Sequence, residues 1–313
     1  MRIMRYPLVC HCVDARETYP FSQGQPVPLR DLLLGLTVIV IWAFNIIVIK
    51  VGVNDMPPLM LMTLRFMLVA ALVVPFTRVT RPQLPWLLVL SVTFGGLHFP
   101  LLFLGLGQAE AGTGALLVQM GTPFATLLAA IFLKERLDAR RLLGLLLAFA
   151  GAVVLAGGPA LPDATATLTL LTSALAWAVS TLIIKRAPNI SPLTMTGWIA
   201  LFAIPQVALG SWLFENHHVA ALQQAGWSGW GAVFYTAVMS SILAYGLWYA
   251  LLRRHPINRV VPLTLLMPVI AVLLGVWLLG DGLDSHKLLG GALVIAGLAV
   301  INLPGRRRPL PMR

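Results

Sequence analysis

The chain contains the stretch Trp42-Ala-Phe-Asn45, followed by Lys50 and Pro57, and repeats it as Trp177-Ala-Val-Ser180, followed by Lys185 and Pro192. The offset between the two copies is a constant 135 positions in a chain of 313 residues. Self-similarity at one fixed offset indicates an internal duplication. We therefore predict that the protein consists of two copies of one structural unit.

A second pair of matching stretches lies near the other end of each unit. The matching residues are Glu135, Arg141-Leu142-Leu143-Gly144 and Gly151 in the first unit, and Asp281, Lys287-Leu288-Leu289-Gly290 and Gly297 in the second. The offset is now 146, so the second unit has gained eleven residues. The predicted division is an N-terminal tail at 1–29, units at 30–158 and 159–304, and a basic tail at 305–313.

The composition is that of an integral membrane protein. Hydrophobic residues make up 58% of the chain and charged residues 11%, whereas about a quarter of the residues in soluble domains are charged. A helix needs roughly 20 apolar residues to cross a bilayer. We predict an all-α protein with ten transmembrane helices, at approximately 31–51, 58–76, 84–106, 111–133, 141–157, 165–184, 192–214, 228–252, 259–279 and 286–303.

Five spans per unit is an odd number, so the second unit must enter the membrane in the opposite direction to the first. Lys and Arg accumulate in short cytoplasmic loops, and an N-terminus inside the cell puts 19 of the 22 Lys and Arg residues on that side. We predict two inverted five-helix repeats with both termini in the cytoplasm. The net charge of +11 then indicates orientation and attraction to anionic membrane lipid, and gives no support to nucleic-acid binding.

Several motifs mark the first unit: Trp42-Ala-Phe-Asn45, Val48-Ile-Lys50-Val-Gly52, Met56-Pro-Pro-Leu-Met60, Leu64-Arg65-Phe66-Met-Leu-Val-Ala70, and Lys134-Glu135-Arg136-Leu137 with Gly144 and Gly151. These motifs resemble EamA-type transporters of the drug/metabolite transporter superfamily. The run 56–70 is especially similar to bacterial members that export cysteine and O-acetylserine. The resemblance implies a ten-helix secondary transporter of the bacterial inner membrane, which exports amino acids or related metabolites through a cavity lined by both units.

Two tryptophans with polar neighbours are candidates for such a cavity. Trp42 and Asn45 are three residues apart and share a helix face near the middle of the first span, and Trp177 and Ser180 occupy the same places in the sixth. A mid-span indole needs a partner for its N–H group. The four residues either line the cavity or pack the first helix against the sixth, with Asn45 hydrogen-bonded across.

Two prolines predict breaks in helical hydrogen bonding. Pro123 and Pro268 cannot donate a backbone hydrogen bond, so the carbonyls of Gln119 and Thr264, four residues earlier, should lack their usual partners. We predict that these polar residues receive substrate or bridging water in a broken helical turn. The alternative is a simple kink whose free groups bond to neighbouring helices.

Two ionisable side chains lie within predicted spans. Exposing Arg65 to lipid would cost about 2.5 to 3.5 kcal/mol, so it should face protein or water, with a substrate carboxylate, a helix C-terminus, Asp55 or Glu110 as its partner. His98 is the one histidine deep in a span, and it either couples transport weakly to protons or packs. The absence of mid-span Asp or Glu favours facilitated export or such weak coupling.

Tyr245, Trp248 and Tyr249 form an aromatic cluster at spacings of three and four in the eighth span. Such a cluster suits the enclosure of an amphipathic solute. Packing of the protein core explains the same spacing equally well. We include Tyr245 and Trp248 among the predicted cavity residues.

The motifs of several enzyme classes are absent from the sequence. It contains no Gly-x-x-x-x-Gly-Lys phosphate loop, no His-Glu-x-x-His zinc site and no pair of mid-span carboxylates for acid–base chemistry. We therefore predict a transporter with a small-molecule substrate and without catalytic residues, bound metal or cofactor. The alternatives are an integral-membrane enzyme acting on a lipid-linked substrate and a solute channel, and the sequence leaves the oligomeric state open.

Overall fold

The computed structural model describes residues 27–108, 117–135, 138–155, 164–279 and 285–302. Most of the predicted N-terminal tail, the basic tail, the division between the units and the residues Glu110 and Asp281 lie outside these ranges. Within them, every regular element is a helix. The prediction of an all-α chain is confirmed for this part of the protein.

We label the main helices α1 to α10. The first half contains α1 (Leu29–Asp55), α2 (Pro58–Phe76), α3 (Arg81–Gln108), α4 (Gly121–Phe132) and α5 (Ala139–Leu155). The second contains α6 (Ala164–Arg186), α7 (Pro192–Phe214), α8 (Trp227–Arg254), α9 (Met267–Leu279) and α10 (Ser285–Asn302). Short segments precede α8 and α9: His218–Gln224, and then Ile257–Val260 with the 3₁₀ turn Val261–Leu266.

Six of these helices are long and apolar enough to cross a membrane, namely α1, α2, α3, α6, α7 and α8. Their most apolar windows have mean hydropathies between 1.3 and 2.7. Shorter apolar helices occupy Gly121–Phe132, Val261–Ala271 and Leu288–Ile301. The protein is thus a multi-pass membrane protein, while the count of ten spans stays a prediction.

Helices of the first half pair with helices of the second. The most extensive contact is that of α5 with α10, and α2 packs on α7, α1 on α8 and α6 on α3 and α4. Carboxylates that follow one helix cap the start of another: Glu215 accepts hydrogen bonds from the backbone N–H groups of Leu59 and Met60 at 2.7 and 2.9 Å. Asp55 likewise accepts from Gly229 N–H at 3.0 Å. Negative charge at a helix N-terminus stabilises that end.

The repeated glycines explain how closely α5 and α10 approach. A Cβ atom placed on Gly144 would lie 2.7 Å from the carbonyl oxygen of Gly297, and one on Gly297 would lie 2.6 Å from that of Gly144. A Cβ atom on Gly151 would lie 2.8 Å from the oxygen of Gly290. Small residues allow helix backbones to touch within membranes. Gly144 meets Gly297, and their repeat equivalents Gly290 and Gly151 meet in the same way.

Two helices contain π-helical turns at corresponding places. Residues Ser91–His98 form one within α3, and residues Thr236–Tyr245 form the other within α8. Such turns are rare in proteins as a whole, but those that occur are often found at functional sites. They end at His98 and Tyr245, both of which are predicted cavity residues.

Candidate functional site

A cavity lies between the two halves, enclosed by α1, α3, α4, α6, α8 and the start of α9. It contains about 700 Å³ of space free of protein atoms, part of it open to solvent. Most of its wall is apolar, with hydroxyl, amide and imidazole groups at a few points. Mostly apolar walls with a few placed polar groups are typical of small-molecule sites.

Seven of the ten predicted residues line this cavity: Trp42, Asn45, His98, Gln119, Trp177, Tyr245 and Thr264. Arg65, Ser180 and Trp248 do not. Ser180 is fully buried and donates to the carbonyl of Ala176 at 2.7 Å and to Thr93 Oγ1 at 3.0 Å. Ser180 therefore packs α6 against α3. That the seven lining residues bind a solute stays a prediction.

Trp248 packs against both repeated tryptophans, Trp42 and Trp177. Its ring centroid lies 5.3 Å from that of Trp42 and 6.2 Å from that of Trp177. Trp42 also contacts Tyr245, at 4.6 Å between ring centroids. One aromatic wall thus combines residues from α1, α6 and α8, with Trp248 as its buried centre.

Two buried polar atoms of this wall lack hydrogen-bond partners among the described residues, namely Trp42 Nε1 and Asn45 Oδ1. Such an unpartnered group costs about 1 to 3 kcal/mol. The alternative was that α1 packs directly against α6, with Asn45 hydrogen-bonded across the contact. In the structure, α1 instead packs against α8 and α9. Both residues line the cavity, so its wall contains one donor and one acceptor without a partner among the described residues.

His98 ties α3 to α6. Its Nδ1 lies 3.0 Å from the carbonyl oxygen of Ser173, and Ser173 Oγ donates to the His98 carbonyl at 2.8 Å. The Ser173 hydroxyl also lies 3.0 Å from Nδ1, so the roles of donor and acceptor at this nitrogen depend on the tautomer of the ring. The imidazole therefore packs α3 against α6 at the wall of the cavity.

The carbonyls of Thr264 and Gln119 both have partners, and for Thr264 this is the alternative in which the free group bonds to a neighbouring helix. The carbonyl of Thr264 accepts from Gln119 Nε2 at 2.8 Å, and that of Gln119 accepts from the N–H of Thr122 at 3.0 Å. The physical reason is that Pro123 and Pro268 lie in the first turns of α4 and α9, where a backbone N–H has no helical partner to lose. The two equivalent polar residues thus bond to each other beside the cavity.

Arg65 is buried, with 1% of its surface exposed. Its Nε donates to Ser241 Oγ at 2.8 Å, and its Cζ lies 4.4 Å from the ring centroid of Phe99. The predicted alternative partner Asp55 is wrong, because Asp55 caps the start of α8. The other, Glu110, lies outside the described residues.

A polar network closes one end of the helix bundle. Asp31 at the start of α1 binds His255 at 2.6 Å and Arg254 at 3.3 Å, both near the end of α8. Lys185 at the end of α6 donates to the carbonyls of Leu252 and His255. Lys185 therefore caps the C-terminal end of α8. Two further contacts at this end are Arg253 with the carbonyls of Pro188 and Ile190, and Glu135 with the N–H of Ile257.

The cavity extends towards the opposite end of the bundle. Among its lining residues, Ile49 and Leu106 lie towards the C-terminal ends of α1 and α3, and Val118 precedes α4. The network, in contrast, joins the start of α1 to the ends of α6 and α8. The structure therefore combines a closed polar end with a cavity displaced towards the other end.

We expect Asp31→Asn to loosen the closed end, because it weakens the bonds to both His255 and Arg254. Hydrogen bonds to charged groups contribute about 1.5 to 3 kcal/mol each. In a background with Cys10 and Cys12 replaced by serine, a cysteine at the fully buried Leu252 reports on opening. Its modification by a water-soluble maleimide should accelerate on the order of tenfold.

Asp138→Asn is the matched control for this test. Asp138 lies outside the contacts of Asp31 and accepts a local bond from Arg141 N–H at 2.8 Å, and asparagine caps helices as well as aspartate does. Equal labelling rates in the Asp31 variant and this control would contradict a gating role for the network.

Several lining residues were missed by reasoning from the sequence. They are Ile46, Ile49, Phe99, Leu102, Leu106, Val118, Thr122, Ala174, Ser240 and Met267. Thr122 has a signal, since it lies three residues after Gln119 and shares its helical face. The apolar residues have none, because an apolar side chain in a span looks the same whether it faces lipid, protein or a cavity.

Known proteins resemble this chain over most of its length. The model of the EamA-like transporter family matches residues 29–157 and 164–303. A probable amino-acid metabolite efflux pump of Salmonella typhimurium is 35% identical over 292 residues, which are 89% of this chain and 96% of that protein. A protein of the same description from Escherichia coli is 33% identical over 290 residues, with the same coverage of 89% and 96%.

A solved crystal structure also resembles this one. The TM-score is 0.71, and the match covers 89% of this chain and 99% of the other at 23% sequence identity. At that identity, the likeness bears on the fold alone.

Proposed function

Because the chain belongs to the EamA-like transporter family, we propose that it is a secondary transporter that exports amino acids or related small metabolites. The family and the two efflux relatives support export. The observation that carries the proposal is the cavity between the halves, where Trp42 Nε1 and Asn45 Oδ1 lack partners. A solute with an ammonium or hydroxyl group can bond to the acceptor, and one with a carbonyl can bond to the donor.

The proposed architecture is ten membrane spans in two inverted five-helix repeats. The support is the exchange of partners between halves: α2 packs on α7 and α5 on α10, while α1 packs on α8 as α6 packs on α3. A two-fold axis that exchanges the halves relates these contacts to one another. The same axis relates the contact of Gly144 with Gly297 to that of their equivalents, Gly290 with Gly151.

Transport by alternating access follows from this architecture. Movement of one repeat against the other exposes a central site to each side in turn. The polar network around Asp31 lies at the basic end of the bundle, which we assign to the cytoplasm from the distribution of Lys and Arg. This conformation is then closed towards the cytoplasm, in an inner membrane with both termini inside the cell.

We expect purified protein in liposomes to catalyse counterflow of labelled L-cysteine, O-acetyl-L-serine or another small amino acid. Uptake should saturate with substrate concentration, because each transport cycle moves a bound solute. Liposomes without protein give the background. The absence of counterflow across a panel of neutral amino acids would contradict the proposed substrate class.

The same preparation separates the carrier from the two alternative functions. A solute channel would give flux that rises linearly with concentration, and conductance in planar bilayers. An enzyme acting on a lipid-linked substrate would convert added lipid in detergent. Among the described residues, no group of three metal-ligating side chains converges, and the proposal requires no cofactor.

A further inference from the structure

Arg65 carries a positive charge whose hydrogen bonding is incomplete. The guanidinium is buried beneath α8, and its Nη2 has no hydrogen-bond partner among the described residues. Its Nε bonds to Ser241, while Nη1 lies 4.0 Å from the sulfur of Met62. A neutral hydroxyl and a thioether are weak partners for a buried cation, because neither carries a charge.

No carboxylate of the described chain compensates this charge. Five of the eleven Asp and Glu residues lie in the described ranges, and each has other partners. These are Asp31 with His255 and Arg254, Asp55 with Gly229, Glu135 with Ile257, Asp138 with Arg141, and Glu215 with Leu59 and Met60. The guanidinium is therefore suited to an anion that comes from outside the described chain.

A second void lies against the same side chains. It contains about 260 Å³ free of atoms and is lined by Phe66, Phe99, Ser241, Tyr245 and Tyr249 among others. The guanidinium contacts the first three of these, with its Cζ 5.8 Å from the Phe66 ring centroid. Arg65 itself does not line the void, so the void offers space and hydroxyl groups on the other side of the residues that Arg65 contacts.

Two aromatic residues separate this void from the central cavity. Phe99 and Tyr245 line both spaces, and their rings meet edge to face at 5.4 Å between centroids. Tyr245 ends the π-helical turn of α8, and Phe99 directly follows that of α3. The wall formed by Phe99 and Tyr245 therefore lies at the ends of the two π-helical turns.

We propose that Arg65, with Ser241, is a carboxylate-binding subsite for the transported solute, separated from the central cavity by Phe99 and Tyr245 in this conformation. This inference rests on the proposed function. A carboxylate accepts two parallel hydrogen bonds from one guanidinium, so Nη2 and a neighbouring nitrogen supply the pair. Displacement of the Tyr245 ring joins the two spaces, and a solute with both ammonium and carboxylate groups then spans them.

The test compares amino acids with their decarboxylated amines on the purified full chain. The pairs are L-cysteine with cysteamine, L-serine with ethanolamine and L-alanine with ethylamine, and the readout is the ligand concentration that stabilises the protein against heat. We expect wild type to favour the amino acid on the order of tenfold or more. Arg65→Gln should abolish this preference, and the matched variant of an exposed arginine, Arg81→Gln, should retain it.

Loss of stabilisation by acids and amines alike in Arg65→Gln would overturn the subsite, since a purely structural arginine does that. So would an unchanged preference. If Arg65→Gln does not fold, Arg65→Lys decides: a single ammonium group cannot donate the parallel pair, so its preference should fall below that of wild type, and an equal preference contradicts the subsite.

Failure of the proposed function has a different outcome. If no amino acid stabilises wild type, the substrate class is wrong, and titration with acetate against chloride tests the subsite separately. Stabilisation by acetate beyond that by chloride, lost in Arg65→Gln, supports a carboxylate site. Equal effects of the two anions, or none, overturn it.

Discussion

Gly297→Leu should leave almost no folded protein. A Cβ atom at this position would lie 2.5 Å from the backbone nitrogen of Ala148 and 2.6 Å from the carbonyl oxygen of Gly144. Backbone atoms of a packed helix cannot turn aside as the end of a side chain can, so α5 and α10 must separate. Overpacking of this kind costs about 3 kcal/mol or more. Detergent-extracted variant should aggregate in fluorescence-detected size-exclusion chromatography.

Gly231→Leu is the control for this prediction. Gly231 also lies in a predicted span, but it is exposed and nothing lies within 4 Å of the position that a Cβ atom would occupy. Leucine also forms helices better than glycine does, so this variant should elute like wild type. A monodisperse Gly297→Leu protein would show that the close contact of α5 and α10 does not determine stability.

This glycine contact was within reach of the sequence. Gly144 with Gly151 and Gly290 with Gly297 repeat at one offset, and small residues at regular spacing indicate close helix packing. The pattern could not tell that α5 meets α10, because two helices of similar composition have many apolar faces to choose from. The membrane class and the helical segments were equally accessible, since they depend on composition and run length.

The closed end of the bundle was not accessible. Asp31 meets His255, 224 positions away in the chain, and no periodicity links the start of one helix to the end of another so far along. The contacts of Lys185 with the end of α8 were inaccessible for the same reason. A charged side chain near a helix end can reach either water or several protein groups. Which of these it contacts depends on how the helices pack.

Some of the predicted cavity residues could be found from the sequence and others could not, again because the sequence does not show how the helices pack. Trp42 and Trp177 were found because bulky aromatic residues in the middle of two spans are unusual and because they repeat. Ser180 occupies the place of Asn45 in the second unit, but it faces α3. A sequence repeat conserves the position along a helix, whereas the divergence of the two halves decides which face of that helix meets the cavity.

Replacing both Trp42 and Trp177 by alanine should reduce transport on the order of a hundredfold while folded protein remains. The two indoles line the cavity from α1 and α6, and buried aromatic anchors carry a large share of binding energy. Counterflow in liposomes, expressed per amount of monodisperse protein, measures the effect. The control pair is Trp212→Ala with Trp227→Ala, whose side chains are 72% and 94% exposed.

The single variants make this prediction sharper. Both indoles contact Trp248, so removing one allows that ring to move and weakens what the other contributes. Groups that share a partner show non-additive effects, and we expect the double variant to lose less transport than the product of the two single losses. Strict additivity would mean that each indole contacts the solute independently. Transport at the rate of the control pair would remove both tryptophans from the site.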